Sequence, residues 1–161
     1  MTVYNEREFV MKNDIEHKIE YVGDKIVVSC CGSSCTMNKN KDDSYNEELI
    51  NEFLDMQRRE LFYNSQSFID EFNEKLEIAI LATRGGNSAA GTIADALLSL
   101  YNGNHYKANL SSWYNLDSTN RAVLLFVLEH QTANNRKDID LYLPEYAADF
   151  RRMRKERSCD D

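Results

Sequence analysis

The apolar residues of the chain change their spacing once, near Ser44, and this change constrains the fold more than any other feature. Upstream, Ile15, Ile19 and Tyr21 alternate with charged residues, which is the period-two pattern of a half-buried strand. Downstream, apolar residues recur every three or four positions, which is the pattern of amphipathic helices. The sequence therefore predicts an α+β fold that is mainly α: a bundle of about five helices preceded by an N-terminal β-hairpin.

A turn motif between two β-prone segments predicts the hairpin. Gly23 and Asp24 separate the first strand from Lys25–Cys30, whose β-branched residues favour a return strand. Residues 31–43 follow, and their Gly, Ser, Asn and charged residues are typical of a loop. We expect this loop to join the hairpin to the helices.

The predicted domains follow the same division. Residues 1–43 form an N-terminal segment with the hairpin and loop, and residues 44–161 form a helical domain. Within the helical domain, acidic helices occupy 44–83 and a second group of helices occupies 86–157.

Two helices can be predicted in more detail. Ser44 and Glu47 have the spacing of a capping box, so the first helix is expected to begin there, with Leu61 on its apolar stripe. The run from Ala122 to Leu128 is apolar on all sides, which predicts that the fourth helix is the central and most buried one.

The charge and hydropathy of the chain limit its partners. It carries 19 basic and 27 acidic residues, for a formal net charge of −8. Acidic surfaces repel phosphate, which disfavours direct nucleic-acid binding and favours a partner with a basic surface. No apolar run approaches the ~18 residues of a membrane span, and the polar segment Met1–Lys12 is unlike a signal peptide. We therefore expect a cytoplasmic protein that does not bind membranes.

The four cysteines form a poor disulfide framework, because three lie close together and one lies in the tail: Cys30, Cys31, Cys35 and Cys159. A zinc site would need Cys159, His17 or His105 to complete four ligands. Adjacent strand residues point to opposite faces, so Cys30 and Cys31 are not expected to share one ion. We expect free thiols at a strand end, with Cys30 packed inward, and no metal or other cofactor. A small metal-dependent enzyme built on this cluster is the alternative.

An excess of carboxylates is the clearest candidate for a binding site. Between Asp42 and Glu77 there are eleven acidic and three basic residues, and the difference equals the whole net charge. Such a surface can occupy a groove meant for phosphate, although surface helices are also often acidic without any partner. The predicted partner-binding residues are Asp42, Asp43, Glu47, Glu48, Glu52, Asp55, Glu60, Asp70, Glu71 and Glu74.

Three other motifs have simpler structural explanations. The basic residues of Arg151–Arg157 (Arg151, Arg152, Arg154, Lys155 and Arg157) complement the dipole at the end of the last helix. Gly85 and Gly86 lack the other residues of a phosphate-binding loop and are interpreted as a turn between helices. The aromatic residues Tyr106, Trp113 and Tyr114 are interpreted as core packing.

No catalytic residue is predicted. Nucleophilic catalysis requires a Ser or Cys near a His and an acid, and His17, His105 and His130 lie in no known catalytic motif. His130 follows the most apolar helix and is expected to cap its C-terminal end. The sequence therefore predicts a protein that is not an enzyme.

Four motifs in the C-terminal half occur in a characteristic order: Gly86-Asn87-Ser88, Leu97–Asn102, Leu110–Asp117 and Glu145–Met153. Residues 77–155, which contain them, resemble an uncharacterised small helical domain of proteobacterial phages, plasmids and integrated elements. The resemblance implies an accessory protein of a mobile element in the cytoplasm of a bacterial host. It implies no activity and no catalytic residues.

These observations favour a non-catalytic protein-binding factor of a phage or mobile element. It would inhibit a host nucleic-acid-handling or defence complex, as an anti-CRISPR-like protein or a nuclease inhibitor, through its acidic helical surface. An immunity protein or antitoxin that neutralises a basic toxin is a second hypothesis. A homodimer stays open as an alternative.

Overall fold

The computed structural model describes residues 15–134 and 138–157, with side chains at all of these positions except 132–134. The described residues form two compact units: one ends at Ser65 and the other begins at Gln66. The polar segment Met1–Lys12 and the tail with Cys159 lie outside the described residues.

The first unit contains an antiparallel sheet and one helix. The sheet has three strands in the order β1-β2-β3, and its elements are β1 (His17–Val22), β2 (Lys25–Cys30) and β3 (Ser33–Asn38), followed by helix α1 (Asp43–Tyr63). The predicted hairpin of β1 and β2 is present, with Val22 paired to Lys25 across the turn.

Strand β3 was not predicted, because residues 31–43 have the composition of a loop. Cys31 and Gly32 both have positive φ, at 55° and 80°, and together form a two-residue turn. Left-handed conformations at both turn residues match the twist of a tight antiparallel hairpin. The chain therefore reverses at once, and Ser33 pairs with Cys30.

The core of the first unit lies between β2 and α1. Ile26, Val28 and Cys30 alternate along β2 and are buried, as strand geometry requires for one covered face. Helix α1 adds Ile50, Phe53 and Leu54 to the same cluster, and Ile15, Cys35 and Met37 pack against it in part.

Strand β1 is exposed along its whole length, so the prediction of a half-buried strand is wrong. Ile19 pairs with Val28 and Tyr21 with Ile26, which places both on the face that α1 covers. Nevertheless, Ile19 is 37% and Tyr21 62% exposed. A helix about 10 Å wide covers about two strands spaced at ~4.8 Å, and here those strands are β2 and β3.

The N-cap of helix α1 lies two residues before the predicted cap. Asp42 is the N-cap: its Oδ1 accepts hydrogen bonds from the backbone N of Ser44 at 3.0 Å and from Ser44 Oγ at 2.6 Å. These bonds, the side-chain one first, lower the pKa of Asp42. The predicted capping box is therefore wrong, because an acceptor two residues upstream already binds the free amide. Leu61 was also misplaced: it is 46% exposed, whereas Gln57 is buried.

The second unit is helical. Its elements are α2 (Gln66–Ala82), a 3-10 turn (Thr83–Gly85), α3 (Ser88–Tyr101), a 3-10 segment (Leu110–Asn115), α4 (Ser118–Asn134), two further 3-10 turns (Ile139–Leu141 and Pro144–Tyr146) and α5 (Ala147–Arg157). Within the described ranges the chain thus has five α-helices after a small sheet. The predicted fold class, α+β and mainly α, is confirmed.

The central helix of the second unit is α3, not α4 as predicted. Leu125 of α4 is 41% exposed and Ala122 is exposed, although the run that contains them is apolar on all sides. Helix α3 packs against α2, α4 and α5. Its small residues let backbones approach from several sides, which a row of large side chains would prevent. The buried residues of α3 are Ala90, Thr92, Ile93, Ala94, Ala96, Leu97 and Leu98.

The turn before α3 contains the glycine pair. Gly86 has φ of 66°, the left-handed region, and it follows the 3-10 turn that ends α2. Asn87 is the N-cap of α3, and its Oδ1 accepts a hydrogen bond of 2.8 Å from the backbone N of Ala90. The interpretation of the glycine pair as a turn between helices is confirmed.

Replacing Asn87 by Ala is expected to lower the free energy of unfolding by about 1 kcal/mol, because the amide of Ala90 loses its acceptor. Urea denaturation followed by circular dichroism would measure the change. Ser88→Ala is the matched control, since the side chain of Ser88 is exposed at the first helical position. An equal or larger loss in the control would contradict the role of Asn87.

Candidate protein-binding surface

Helix α1 presents carboxylates on the side opposite its buried residues. Successive helical residues are rotated by about 100°, so Glu48, Glu52 and Asp55 lie in one narrow stripe. Ile50 and Phe53, which face the sheet, lie on the other side. The three acidic residues are all exposed. The predicted acidic face is thus a continuous surface on this helix.

Most of this charge is not neutralised by neighbouring side chains. Asp55 accepts a 2.6 Å bond from Nη1 of Arg58. Within the described ranges, Glu47, Glu48 and Glu52 make no ion pair. Like charges four residues apart, such as Glu48 and Glu52, weaken an isolated helix. The stability of α1 therefore does not account for this arrangement of charges.

Two apolar residues of this surface were not predicted from the sequence. Tyr45 is 46% and Met56 54% exposed, and both flank the carboxylate stripe. They are eleven residues apart, about three helical turns, and so lie on the same side of α1. Tyr and Met are enriched in protein interfaces. The signal that could have found them is this spacing, which puts both outside the buried stripe.

Tyr45, Glu47, Glu48, Glu52, Asp55 and Met56 are called the α1 surface below. Asp42, Asp43 and Glu60, three other predicted binding residues, also belong to the first unit. Asp42 acts as the helix cap, Asp43 is exposed beside it, and Glu60 is half-buried.

The remaining predicted binding residues are on α2, in the second unit. Asp70, Glu71 and Glu74 are exposed. Asp70 accepts a 2.8 Å hydrogen bond from Nε2 of Gln66, and Glu74 lies 3.6 Å from Nζ of Lys75. The ten predicted residues therefore form two sets on two units. Exposed apolar side chains accompany both sets: Tyr45 and Met56 on α1, and the less exposed Ile78 and Leu81 on α2, at 37% and 39%.

The basic residues of α5 are tied to other elements of the second unit. Arg152 donates to the hydroxyl of Thr83 at 2.8 Å. Arg154 donates to the hydroxyl of Tyr101 at 3.0 Å and lies over its ring. Nε of Arg157 donates to the carboxylate of Asp95 on α3 at 2.5 Å. From the sequence these residues were expected only to complement the helix dipole, whereas three of them also connect α5 to its neighbours.

A carboxylate on α5 is the centre of these connections. Asp149 is buried, and its two oxygens accept bonds of 2.9 Å from Nε and 2.7 Å from Nη2 of Arg84. Nη2 of Arg152 lies 3.5 Å from Oδ1 of Asp149. The bonds from Arg84, which have the largest effect, and then Arg152 lower the pKa of Asp149. An open depression of about 420 Å³ adjoins these groups. The charged groups that line this depression are already paired with one another. They therefore stabilise the packing of the helices, and the depression is a poor binding site for a free anion.

Asp149→Asn is expected to lower the stability of the protein at neutral pH by about 1–2 kcal/mol, less than for a fully buried pair because Arg84 reaches solvent. The folded-state pKa of Asp149 is below its unfolded value. Its contribution is therefore present above the unfolded pKa and is lost as pH falls through the folded pKa. Urea unfolding of both proteins between about pH 7 and pH 3 would measure this. A difference that does not shrink on acidification would contradict the charged role of Asp149.

His130 does not cap α4, contrary to the prediction. It is half-buried, and its ring centroid lies 5.2 Å from that of Phe68 and 4.3 Å from that of Phe126. Burial lowers its pKa. The helix continues to Asn134, so His130 is placed one turn too early to cap its end, and its ring packs between α2 and α4 instead.

The aromatic residues of the connection between α3 and α4 do not form one buried cluster. Tyr114 is 81% exposed, which contradicts the prediction of core packing for that residue. Trp113 is half-buried, and within the described part of the chain its buried Nε1 has no acceptor. Tyr106 is half-buried beside the ring of His105. The 3-10 segment turns neighbouring side chains in different directions, which explains why Trp113 is half-buried and Tyr114 is exposed.

The three described cysteines are free thiols, as predicted, and Cys30 is buried. However, the Sγ atoms of Cys30 and Cys31 lie 3.0 Å apart, whereas opposite faces were expected. The left-handed backbone of Cys31 turns its side chain back toward Cys30. In the part of the chain that the structure covers, no three His, Cys, Asp or Glu residues are placed to hold a metal ion.

None of the helices in the described ranges combines the length and apolar character that crossing a membrane requires.

Comparison with known proteins identifies the helical unit. A family of unknown function (DUF7673) matches residues 75–158, which is more than half of the chain. No curated protein and no solved structure matches the chain. The match begins within α2, includes Arg84 and Asp149, and lies outside the α1 surface. It agrees with the resemblance of residues 77–155 to an uncharacterised helical domain. The chain therefore belongs to DUF7673, a family of unknown function.

Proposed function

We propose that this protein is a non-catalytic protein-binding factor of a phage or other mobile element. It binds and inhibits a host complex that handles nucleic acid or acts in defence, as an anti-CRISPR-like protein or nuclease inhibitor would, in the cytoplasm of a bacterial host. The observation that carries the proposal is the α1 surface, where exposed Tyr45 and Met56 flank the unneutralised carboxylates Glu48 and Glu52.

The composition of the α1 surface fits a basic protein partner. Carboxylates on one helix face present a row of negative charge to a groove that normally holds phosphate. Such charges increase the association rate and select the partner, but contribute less to affinity. Burial of Tyr45 and Met56 would supply the apolar contact that holds the complex together. Free nucleic acid would be repelled by the same charges.

The context of the proposal comes from the sequence. Residues 77–155 resemble a domain of phages, plasmids and integrated elements, and such elements gain from blocking host defence. The net charge of −8 fits a protein that competes with nucleic acid for a basic surface. A basic toxin encoded beside this protein would fit the same surface, and this immunity or antitoxin role is the second hypothesis.

A charge-reversal variant tests the proposal. Replacement of Glu47, Glu48, Glu52 and Asp55 by Lys is expected to abolish capture of a partner from host lysate, about a 100-fold or greater loss of affinity, because opposed basic groups would then repel the surface. Mass spectrometry would identify the captured protein, and circular dichroism would verify folding.

The matched control has the same change in charge at exposed residues elsewhere: Glu16, Asp24, Asp138 and Glu145 to Lys. It is expected to retain the partner. An equal loss of partner binding in both variants would show that net charge alone explains the effect, and would contradict binding through the α1 surface.

Two further variants distinguish the acidic residues of α1 from those of α2. Reversal of Asp70, Glu71 and Glu74 on α2 is expected to leave binding within a few-fold of the wild type, whereas Tyr45→Ala with Met56→Ala should weaken it strongly. If the α2 variant alone lost the partner, the surface would have to be assigned to the second unit.

A further inference from the structure

The turn between β2 and β3 holds two thiols side by side. The Sγ atoms of Cys30 and Cys31 are 3.0 Å apart. Side chains of adjacent residues in a strand point to opposite faces, so this proximity depends on the left-handed φ of 55° at Cys31. A non-glycine residue in that region is uncommon. The backbone of the turn thus places two sulfur atoms where one small ligand could bind both.

The pair is accessible from solvent on one side only. Cys31 is exposed, whereas Cys30 is 3% exposed and belongs to the core cluster of the first unit. An open depression of about 490 Å³ adjoins both, and His17 and Ser33 also line it. A small reagent can therefore reach Cys31 first and then engage Cys30.

We propose that Cys30 and Cys31 form a dithiol site that binds trivalent arsenicals. A monosubstituted arsenical, R–As(OH)₂, forms one As–S bond to each sulfur and loses both hydroxyl groups. Each thiol proton leaves with one hydroxyl as water, and arsenic keeps its oxidation state. Two sulfurs bonded to one centre at about 2.3 Å and at an angle of about 90° are about 3.3 Å apart, close to the separation in the protein.

Trivalent arsenic suits this pair better than a divalent metal ion does. Burial, followed by the hydrogen bond with Cys31, raises the pKa of Cys30 to about 11. Cys30 therefore keeps its proton at neutral pH, and zinc would have to displace that proton, whereas a hydroxyl group of the arsenical leaves with it as water. Among the described residues no third ligand completes a metal site. A monosubstituted arsenical needs only two sulfurs, because carbon fills its third position.

A disulfide between the two residues is disfavoured by backbone geometry. Adjacent Cα atoms are about 3.8 Å apart, below the ~4.4–6.8 Å that disulfides usually span. Closing the ring would therefore strain the turn. Chelation spans a longer sulfur–sulfur distance and needs no such contraction.

Phenylarsine oxide provides the test. The reduced full-length protein is expected to bind one equivalent, observed by native mass spectrometry, and to keep it in excess glutathione while a dithiol such as 2,3-dimercaptopropanesulfonate removes it. Cys31→Ser should bind about 100-fold more weakly, because attachment at two points becomes attachment at one. Cys31 is exposed, so this variant should fold, and circular dichroism would verify that it does.

The matched control replaces Cys35 and Cys159 by Ser and keeps only the adjacent pair. It is expected to bind as tightly as the wild type. Loss of the adduct in this control, tight binding by Cys31→Ser, or removal of the wild-type adduct by glutathione would each overturn the proposal. In this control, which lacks Cys35, loss of two hydrogens from peptide 26–39 in place of adduct formation would show that the pair closes to a disulfide, which would also overturn the proposal.

Discussion

Replacing Phe150 by Ala is expected to destabilise the helical unit by about 4 kcal/mol, the largest effect predicted for a single substitution in this protein. Phe150 is 1% exposed on α5, the helix that Asp149 and the arginines tie to its neighbours. Removing the ring loses its burial and leaves a cavity that those charged contacts prevent α5 from closing. Domain stabilities are commonly ~5–15 kcal/mol, so the variant should be partly unfolded at 37 °C.

Thermal unfolding and hydrogen exchange would measure this effect. Faster exchange is expected in α2 to α5, because these helices share one core. Tyr114→Ala is the matched control: it removes a similar ring that is 81% exposed, and should change stability by no more than about 0.5 kcal/mol. If both substitutions had similar effects, the assignment of Phe150 to the core would be wrong.

Replacing Ile26 by Ala is expected to destabilise the first unit by about 3 kcal/mol. Ile26 is fully buried near the start of β2, the middle strand of the sheet. The described core of this unit contains six buried side chains, so one of them supplies a large share of its apolar burial: Ile26, Val28, Cys30, Ile50, Phe53 and Leu54. A small core has few neighbours that can rearrange to fill the space.

Val22→Ala is the control for the sheet, because Val22 is in β1 and is 62% exposed. It should have little effect. Hydrogen exchange of the β2 and β3 amides would measure the loss of stability in Ile26→Ala. Unchanged protection of these amides would contradict the structure of the first unit. Partner binding through the α1 surface should weaken together with this protection, since α1 packs on the same cluster.

The sequence predicted the fold class because the change of apolar period is a local property of the chain. It did not predict β3, since Ser33, Ser34 and Asn38 are typical of loops. The strand exists because Cys31 and Gly32 reverse the chain. The central position of α3 was also missed. Burial depends on how many elements surround a helix, and small residues that permit close packing contribute little to an apolar pattern.

The candidate site was also predicted only in part. Charge can be counted along a sequence, so the carboxylates of α1 were identified as exposed. The pairing of Arg84 with Asp149 could not be predicted, because these residues are 65 positions apart in the sequence. The proximity of the Cys30 and Cys31 sulfurs was missed because a single backbone angle reverses the alternation expected for a strand.

The division of the chain at Ser65 has a consequence for relatives of this protein. The family match lies entirely in the second unit, whereas the α1 surface belongs to the first. What the family match defines is residues 75–158, from the second half of α2 to the end of α5, and it does not include α1. Under the proposed function, binding specificity is then a property of a part of the chain that the family match does not include. A partner identified through α1 should accordingly be assigned to a relative only when that relative carries its own equivalent of the first unit.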